Sequence, residues 1–223
     1  MKRFVLLLGL PLLLASASQT SSTGQEPSAA LQELKDGNVR YVSGKPTQCG
    51  TDTALRESLA EKQAPGAIVL SCSDSRVPPE LVFDRKLGEL FTIRVAGNVL
   101  NDENVASIEY ALEHLGSRLI VIMGHESCGA VKAALSYSDA QGAESASLKT
   151  LITEIRTNLG AKLTQYSKAP DTKLREPVKA NVSAVEVSLL KRSKIVKDAV
   201  QSGRVKIIQA IYGLQTGRVE FWD

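Results

Sequence analysis

Residues 67–77, "AIVLSCSDSRV", place a thiol, a carboxylate and a guanidinium at alternating positions directly after an apolar run. Nearly continuous apolar runs of this length are typical of strands that are covered on both faces of a sheet, and such strands are usually parallel. While the chain stays extended, the side chains of Cys72, Asp74 and Arg76 point to the same side. The stretch therefore predicts a buried strand with three reactive side chains at its carboxyl end.

Further apolar runs and helical patterns alternate along the chain. One predicted helix runs from Asn101, a good N-cap residue, to Gly116, and a longer one covers residues 178–202 with a single apolar stripe. This order predicts an α/β fold, a mostly parallel β-sheet flanked by helices and joined by right-handed crossovers. The other predicted strands are "LFTIRVA" (90–96), "RLIVIMG" (118–124) and "RVKIIQAIY" (204–212).

The amino terminus has the features of an export signal. Lys2 and Arg3 precede an apolar run over residues 4–14, and a small-residue motif ends at Ala17. The run covers about half of a ~30 Å hydrocarbon core and is too short for a membrane span. We predict that residues 1–17 are a signal peptide, that the mature protein is periplasmic or secreted, and that it has no membrane association after cleavage.

The rest of the chain is predicted to form one domain after a short lead-in. Residues 18–27 are small and polar, which indicates a disordered segment. Residues 28–223 are sufficient for a single domain with a sizeable core. Within them, residues 136–177 are polar apart from one amphipathic piece at 148–159, and we interpret them as a surface excursion.

Charge and cysteine content narrow the function further. The formal net charge is +3, from 27 basic and 24 acidic residues, and the basic residues are scattered, so nucleic acid is not an expected partner. Exported proteins usually pair their cysteines, but Cys49, Cys72 and Cys128 are odd in number. At least one must have another role, and metal ligation is the obvious candidate. For Cys49 a free thiol and an intermolecular disulfide both remain open.

A second motif follows the third predicted strand. "GHESCGAV" (124–131) contains His125 and Cys128 just before a predicted helix that starts near Gly129. If the first and third strands are neighbours, these two side chains meet Cys72 at the carboxyl edge of the sheet, where ligands gather. Two thiolates and an imidazole are what zinc prefers, and three protein ligands leave a fourth position open, as in catalytic sites.

The sequence between and around the two motifs resembles the β-class carbonic anhydrases, in particular exported bacterial members. The likeness runs from about Leu31 to Trp222, except for residues 136–177, and it includes "QAPGAIVLSCSDSRVPPE" (63–80), "GELFTIRVAGN" (88–98) and "SIEYALEHLG" (107–116). The resemblance implies a lyase that reversibly hydrates carbon dioxide to bicarbonate and a proton.

The resemblance also implies a role for each matched residue. It implies one Zn²⁺ per chain, held by Cys72, His125 and Cys128, with Asp74 and Arg76 as the dyad that orients the zinc-bound hydroxide. An isolated Asp-x-Arg would otherwise indicate a surface salt bridge.

Four further positions match the family's substrate pocket. Gln63 matches a glutamine that hydrogen-bonds bicarbonate, and Gly129 matches a backbone amide that faces substrate. Phe91 and Tyr110 match pocket walls often contributed across a dimer interface, although without the resemblance they would be assigned to core packing. A homodimer or a dimer of dimers is therefore implied.

Two other functions are compatible with the same residues. One is hydrolysis of a carbon dioxide isostere such as carbonyl sulfide or carbon disulfide, and another is a non-catalytic zinc-binding or redox-thiol protein. Within the family, closed bicarbonate-regulated members have a tryptophan where this chain has Val69, although Arg94 and Tyr212 match the rest of that regulatory site. We therefore expect an open site, in which Arg76 holds both oxygens of Asp74.

Overall fold

A five-stranded sheet forms the centre of the protein. The computed structural model describes residues 24–47, 52–138, 145–168 and 173–223, so the predicted signal peptide and Cys49 lie outside the described residues. The strands are β1 (Ala67–Ser71), β2 (Leu90–Arg94), β3 (Leu119–His125), β4 (Lys206–Tyr212) and β5 (Val219–Trp222).

The strand order is β2-β1-β3-β4-β5. The first four strands are parallel to their neighbours, and β5 runs antiparallel to β4. The predicted mostly parallel α/β fold is confirmed. Sequence patterns predicted four of the strands. They did not predict β5, which is short and lies at the edge of the sheet.

Helices cover both faces of this sheet. The α-helices of the described residues are α1 (Pro27–Val42), α2 (Thr53–Ser58), α3 (Pro79–Val82), α4 (Asp102–Glu113), α5 (Gly129–Ser136), α6 (Ala146–Leu159), α7 (Leu163–Lys168), α8 (Arg175–Arg192) and α9 (Lys194–Gln201). As predicted, Asn101 caps α4, and its side chain accepts a hydrogen bond from the amide of Asn104.

The continuous apolar run of β1 is explained by its burial on both faces of the sheet. Every residue of β1 is buried. Ile68 and Leu70 belong to a cluster formed with α4, α8 and α9, whereas Val69 belongs to a cluster formed with α1 and α3. Since neighbouring residues of a strand face opposite sides, both sets must be apolar.

Two predictions about the second half of the chain were wrong. The helix predicted over residues 178–202 is two helices, because the backbone of Ser193 is extended and its side chain caps α9 by accepting from the amide of Val196. The described residues of the range 136–177 are not only a surface excursion, because one of their helices contributes to the core. Helix α6 buries Ile152 and Ile155 in the cluster that contains Cys72 and Cys128.

No helix in the described part of the chain is both long enough and apolar enough to cross a membrane.

Candidate metal centre

The sheet brings Cys72, His125 and Cys128 together. Their ligand atoms all lie within 4.8 Å of one another, and all three residues are buried. Cys72 directly follows β1, His125 ends β3, and Cys128 directly precedes α5. Because β1 and β3 are parallel neighbours, with Ser71 opposite Met123, the ends of the two strands place these side chains at one point.

The imidazole of His125 has a defined tautomer. Its Nδ1 lies 2.9 Å from the backbone oxygen of Glu126. A carbonyl oxygen can only accept a hydrogen bond, so Nδ1 carries the proton and Nε2 offers a lone pair. Among the described residues, Nε2 is buried and has no hydrogen-bond partner. A buried polar atom without a partner is costly, and a metal ion bound beside the two sulfurs would satisfy it.

Hydrogen bonding between the two sulfurs shifts the two thiol pKa values in opposite directions. The hydrogen bond with Cys128 lowers the pKa of Cys72, and the amides of Asp74 and Gly97 add to this by donating to its sulfur at 3.4 and 3.3 Å. The same bond and burial raise the pKa of Cys128. The surroundings of Cys72 therefore favour its thiolate form, and a divalent cation held by both sulfurs would bind them as thiolates. This donor set fits zinc.

Asp74 and Arg76 form the expected bidentate pair beside the sulfurs. Nε and Nη2 of Arg76 donate to the two carboxylate oxygens at 2.9 and 2.7 Å, and the Arg76 amide donates at 3.0 Å. The side-chain hydrogen bonds from Arg76 hold the pKa of Asp74 well below its usual range. The nearer oxygen lies 3.8 Å from Nε2 of His125, which is too far for a hydrogen bond.

The backbone of this loop is held by Arg94. Its Nε donates to the backbone oxygen of Cys72 at 3.2 Å, and its Nη2 donates to that of Asp74 at 2.7 Å. The guanidinium therefore fixes the chain on both sides of residue 73, and with it the directions of the thiolate and the carboxylate.

The predicted pocket residues lie at the surface of the chain. Gln63 and Gly129 are exposed, and Phe91 is half-buried. Tyr110 is 49% exposed, which excludes the core-packing alternative for this residue. Its ring centroid is 6.5 Å from that of Phe91, so the two rings form one aromatic patch. The substrate-binding roles of these four residues stay predictions.

Comparison with known proteins gives the family. Residues 67–219 match the family model described as carbonic anhydrase. The fold also matches a β-carbonic anhydrase from Coccomyxa, solved in complex with acetazolamide, with a TM-score of 0.67, 26% identity and 85% of each chain covered. The chain belongs to the β-carbonic anhydrase family. It is thus an enzyme of the class that the motifs at 72–76 and 125–128 indicated.

Two bacterial relatives of this β-carbonic anhydrase match over nearly their whole length. A carbonic anhydrase from Mycolicibacterium smegmatis is 37% identical over 194 residues, which are 87% of this chain and 92% of that protein. Carbonic anhydrase 2 from Mycobacterium tuberculosis is 33% identical over 198 residues, which are 88% and 93% of the two chains.

Two residues that the sequence patterns did not indicate lie directly behind the site of this β-carbonic anhydrase. The side chain of Glu126 is buried between the two ligand positions His125 and Cys128, and Arg175 at the start of α8 donates to its carboxylate. A carboxylate between two candidate metal ligands is the signal that was available for Glu126. Nothing local in the sequence indicates Arg175.

Proposed function

We propose that this β-carbonic anhydrase binds one Zn²⁺ per chain and catalyses the reversible hydration of carbon dioxide to bicarbonate and a proton. The observation that carries the proposal is the meeting of two sulfurs and an imidazole nitrogen within 4.8 Å, with that nitrogen buried and unpartnered among the described residues. Cys72, His125 and Cys128 are the ligands. Three protein ligands leave room for a water molecule, as catalytic zinc sites require.

Zinc in such a site supplies a Lewis acid that makes a water molecule acidic enough to act as a nucleophile near neutral pH. The two thiolates cancel the formal charge of the ion, so the water is less acidic than in a three-histidine site. Activity should therefore favour alkaline pH.

The Asp74–Arg76 pair orients the attacking water. Arg76 occupies both carboxylate oxygens and keeps Asp74 ionised, so Asp74 can only accept a hydrogen bond. A water that donates to this carboxylate turns a lone pair toward the carbon of the substrate. The fixed carboxylate thereby reduces the orientational freedom lost in the transition state.

The substrate pocket is completed by a second copy of the chain, which makes the enzyme a homodimer or a dimer of dimers. The exposure of Gln63 and Tyr110 supports this, since an apolar pocket for carbon dioxide needs walls that exclude water. Gln63 and the amide of Gly129 bind the oxygens of bicarbonate, and Phe91 and Tyr110 form the apolar wall. Light scattering of the purified protein should give a multiple of the chain mass, and a monomer with full activity would contradict the proposal.

The experiment that tests the function combines metal analysis with a rate measurement. We expect about one zinc per chain in purified wild-type protein and carbon dioxide hydration by stopped flow. Cys72→Ser, His125→Ala and Cys128→Ser should each lose zinc and activity. Cys49→Ser is the matched control, because the proposed ligand set does not include this third cysteine, and it should keep both.

Assays of the same purified protein distinguish the alternative functions. Release of sulfide from carbonyl sulfide or carbon disulfide without carbon dioxide hydration would indicate an isostere hydrolase. Zinc without either activity would indicate a non-catalytic metal protein. Full zinc occupancy in two of the three ligand variants would refute the ligand assignment.

The enzyme works outside the cytoplasm, in the periplasm or as a secreted protein. The basic, apolar and small-residue segments of residues 1–17 support this. Protein purified from the native host should begin near Ser18. Soluble cytoplasmic protein that still begins with Met1 would overturn the proposal.

A further inference from the structure

The loop that carries two of the three ligands has an unusual backbone. His125 and Cys128 are separated only by Glu126 and Ser127, and Ser127 has a φ of 54°. This left-handed conformation is uncommon for residues other than glycine, and it persists where the surroundings enforce it. The direction of both ligands therefore depends on contacts that hold the two intervening residues.

Those contacts come from β4 and from the segment that starts α8. The Glu126 amide donates to the backbone oxygen of Tyr212 at 2.9 Å, and the Ser127 amide donates to that of Lys173 at 2.6 Å. The Glu126 side chain is only 6% exposed, and Arg175 Nη1 donates to its Oε1. The second terminal nitrogen of Arg175 contacts Glu220 on β5 at 2.5 Å.

Glu126 links Arg175 to the metal ligand. The backbone oxygen of Glu126 accepts the hydrogen bond from Nδ1 of His125, while its carboxylate is bound to Arg175. The carbonyl and the carboxylate belong to the same residue. An ion pair that fixes the Glu126 side chain therefore also restricts rotation of the peptide group that holds this carbonyl. Without the guanidinium, a buried carboxylate would lose its counter-charge and draw the loop toward water.

We propose that Arg175 is a positioning residue for the metal centre. It holds Glu126 so that the carbonyl of Glu126 keeps His125 in the tautomer and orientation that present Nε2 to the ion. Arg175 touches neither substrate nor metal, and it acts only through Glu126. The inference rests on the proposed zinc site and extends it to the contacts behind the ligand.

The opposing explanation is that Arg175 stabilises the fold in general, because it also bridges to Glu220. Arg192, the last residue of the same helix, provides a matched control. Its side chain is 30% exposed, against 28% for Arg175, and it binds the backbone oxygen of Leu100 and the carboxylate of Asp102. Substitution of either arginine removes one charge and two contacts from one end of α8.

The experiment measures the rate at which the zinc-loaded protein releases its metal to excess chelator. Partners of metal ligands typically change metal affinity by about 10- to 100-fold when removed. We expect Arg175→Met to accelerate release by about this factor and Arg192→Met to leave it unchanged, even if both lower the melting temperature equally. Arg175→Lys, which retains a positive charge but not the fork of donors, should fall between wild type and Arg175→Met.

A double-mutant cycle tests the route through Glu126. Glu126→Gln removes the charge that Arg175 binds but keeps the backbone carbonyl, so in that background Arg175→Met should add little to the release rate. Equal release from Arg175→Met and Arg192→Met, or fully additive effects in the cycle, would overturn the inference. If Arg175→Met fails to fold, the comparison of Arg175→Lys with Arg192→Lys decides in the same way.

The two proposals fail differently. Wild-type protein with bound zinc and an unresponsive Arg175→Met variant would refute the positioning role alone. Wild-type protein that binds no zinc would refute the proposed function, and the positioning role with it.

Discussion

Replacing Gly124 by alanine tests how closely the metal-binding strand packs on helix α8. Gly124 is the residue of β3 just before His125. A Cβ atom at this position would lie 2.5 Å from Cγ1 of Val178 and 3.0 Å from Cγ2 of Val182. Both valines are on α8 and are at most 1% exposed. Carbon atoms pack at about 3.5–4.0 Å, so the added methyl group does not fit without movement.

The cost follows from the stiffness of the surroundings. Valine side chains have one strongly preferred rotamer in a helix, so the clash is relieved by a shift of α8 or β3 and not by side-chain rotation. Overpacking of this kind costs roughly 1–3 kcal/mol. For a domain of this size, each kcal/mol lowers the melting temperature by roughly 2–4 °C, which gives a decrease of about 2–12 °C. A shift of β3 also moves His125, so zinc release should accelerate.

Calorimetry of three variants makes the test specific. Gly129→Ala is the control, because a Cβ atom there would have no heavy atom within 4 Å, and its melting temperature should change by no more than about 1 °C. Val178→Ala removes the methyl groups nearest to Gly124, so the double variant should lose less stability than the sum of the single losses. A Gly124→Ala protein that melts with the wild type, or strict additivity with Val178→Ala, would refute the packing argument.

Two further predictions concern the Asp74–Arg76 pair, and a third concerns Val69. Arg76→Ala should lower kcat/KM for carbon dioxide hydration by about 10- to 100-fold while zinc stays bound, because Asp74 is no longer held away from the ion; unchanged activity would exclude an orienting role. The pair raises stability at pH values above the unfolded pKa of aspartate, about 3.9, and this contribution is lost as the pH falls through the lower folded value. In zinc-free protein, the difference in melting temperature between wild type and Asp74→Asn should therefore shrink below about pH 4. With Val69 in place of tryptophan, bicarbonate should act only as substrate or product, and a cooperative loss of rate with added bicarbonate would contradict the open site.

The sheet and the metal cluster could be predicted because both depend on local patterns. Four strands each appear as one apolar run in the sequence. Parallel strands end at a common edge, so Cys72 and His125 had to meet if β1 and β3 were neighbours. The Asp74–Arg76 pair was equally accessible, since its members are two residues apart on an extended segment. Contacts between residues that are close in sequence, or at the ends of neighbouring strands, can therefore be predicted from sequence patterns.

The features that were missed depend on contacts between distant segments. The apolar stripe of α8 continues into α9 and hides the break between them. Ser193 marks the break by capping α9, and its hydroxyl also donates to Glu109 on the distant helix α4. Strand β5 has four residues, and antiparallel pairing with β4 defines it. The contact of Arg175 with Glu126 joins residues that are far apart in sequence, and no local pattern predicts it.

The separation of the ligands along the chain has a consequence for how the protein acquires its metal. Cys72 and His125 are separated by α3, β2 and α4, so an unfolded chain must close a long loop before both can reach one ion. The short His125-x-x-Cys128 segment alone offers only two donors. A zinc ion therefore has little to bind before β1 and β3 have paired, and its binding free energy adds almost fully to the stability of the folded chain. Zinc bound at the proposed site would therefore mark chains in which β1 and β3 have already paired.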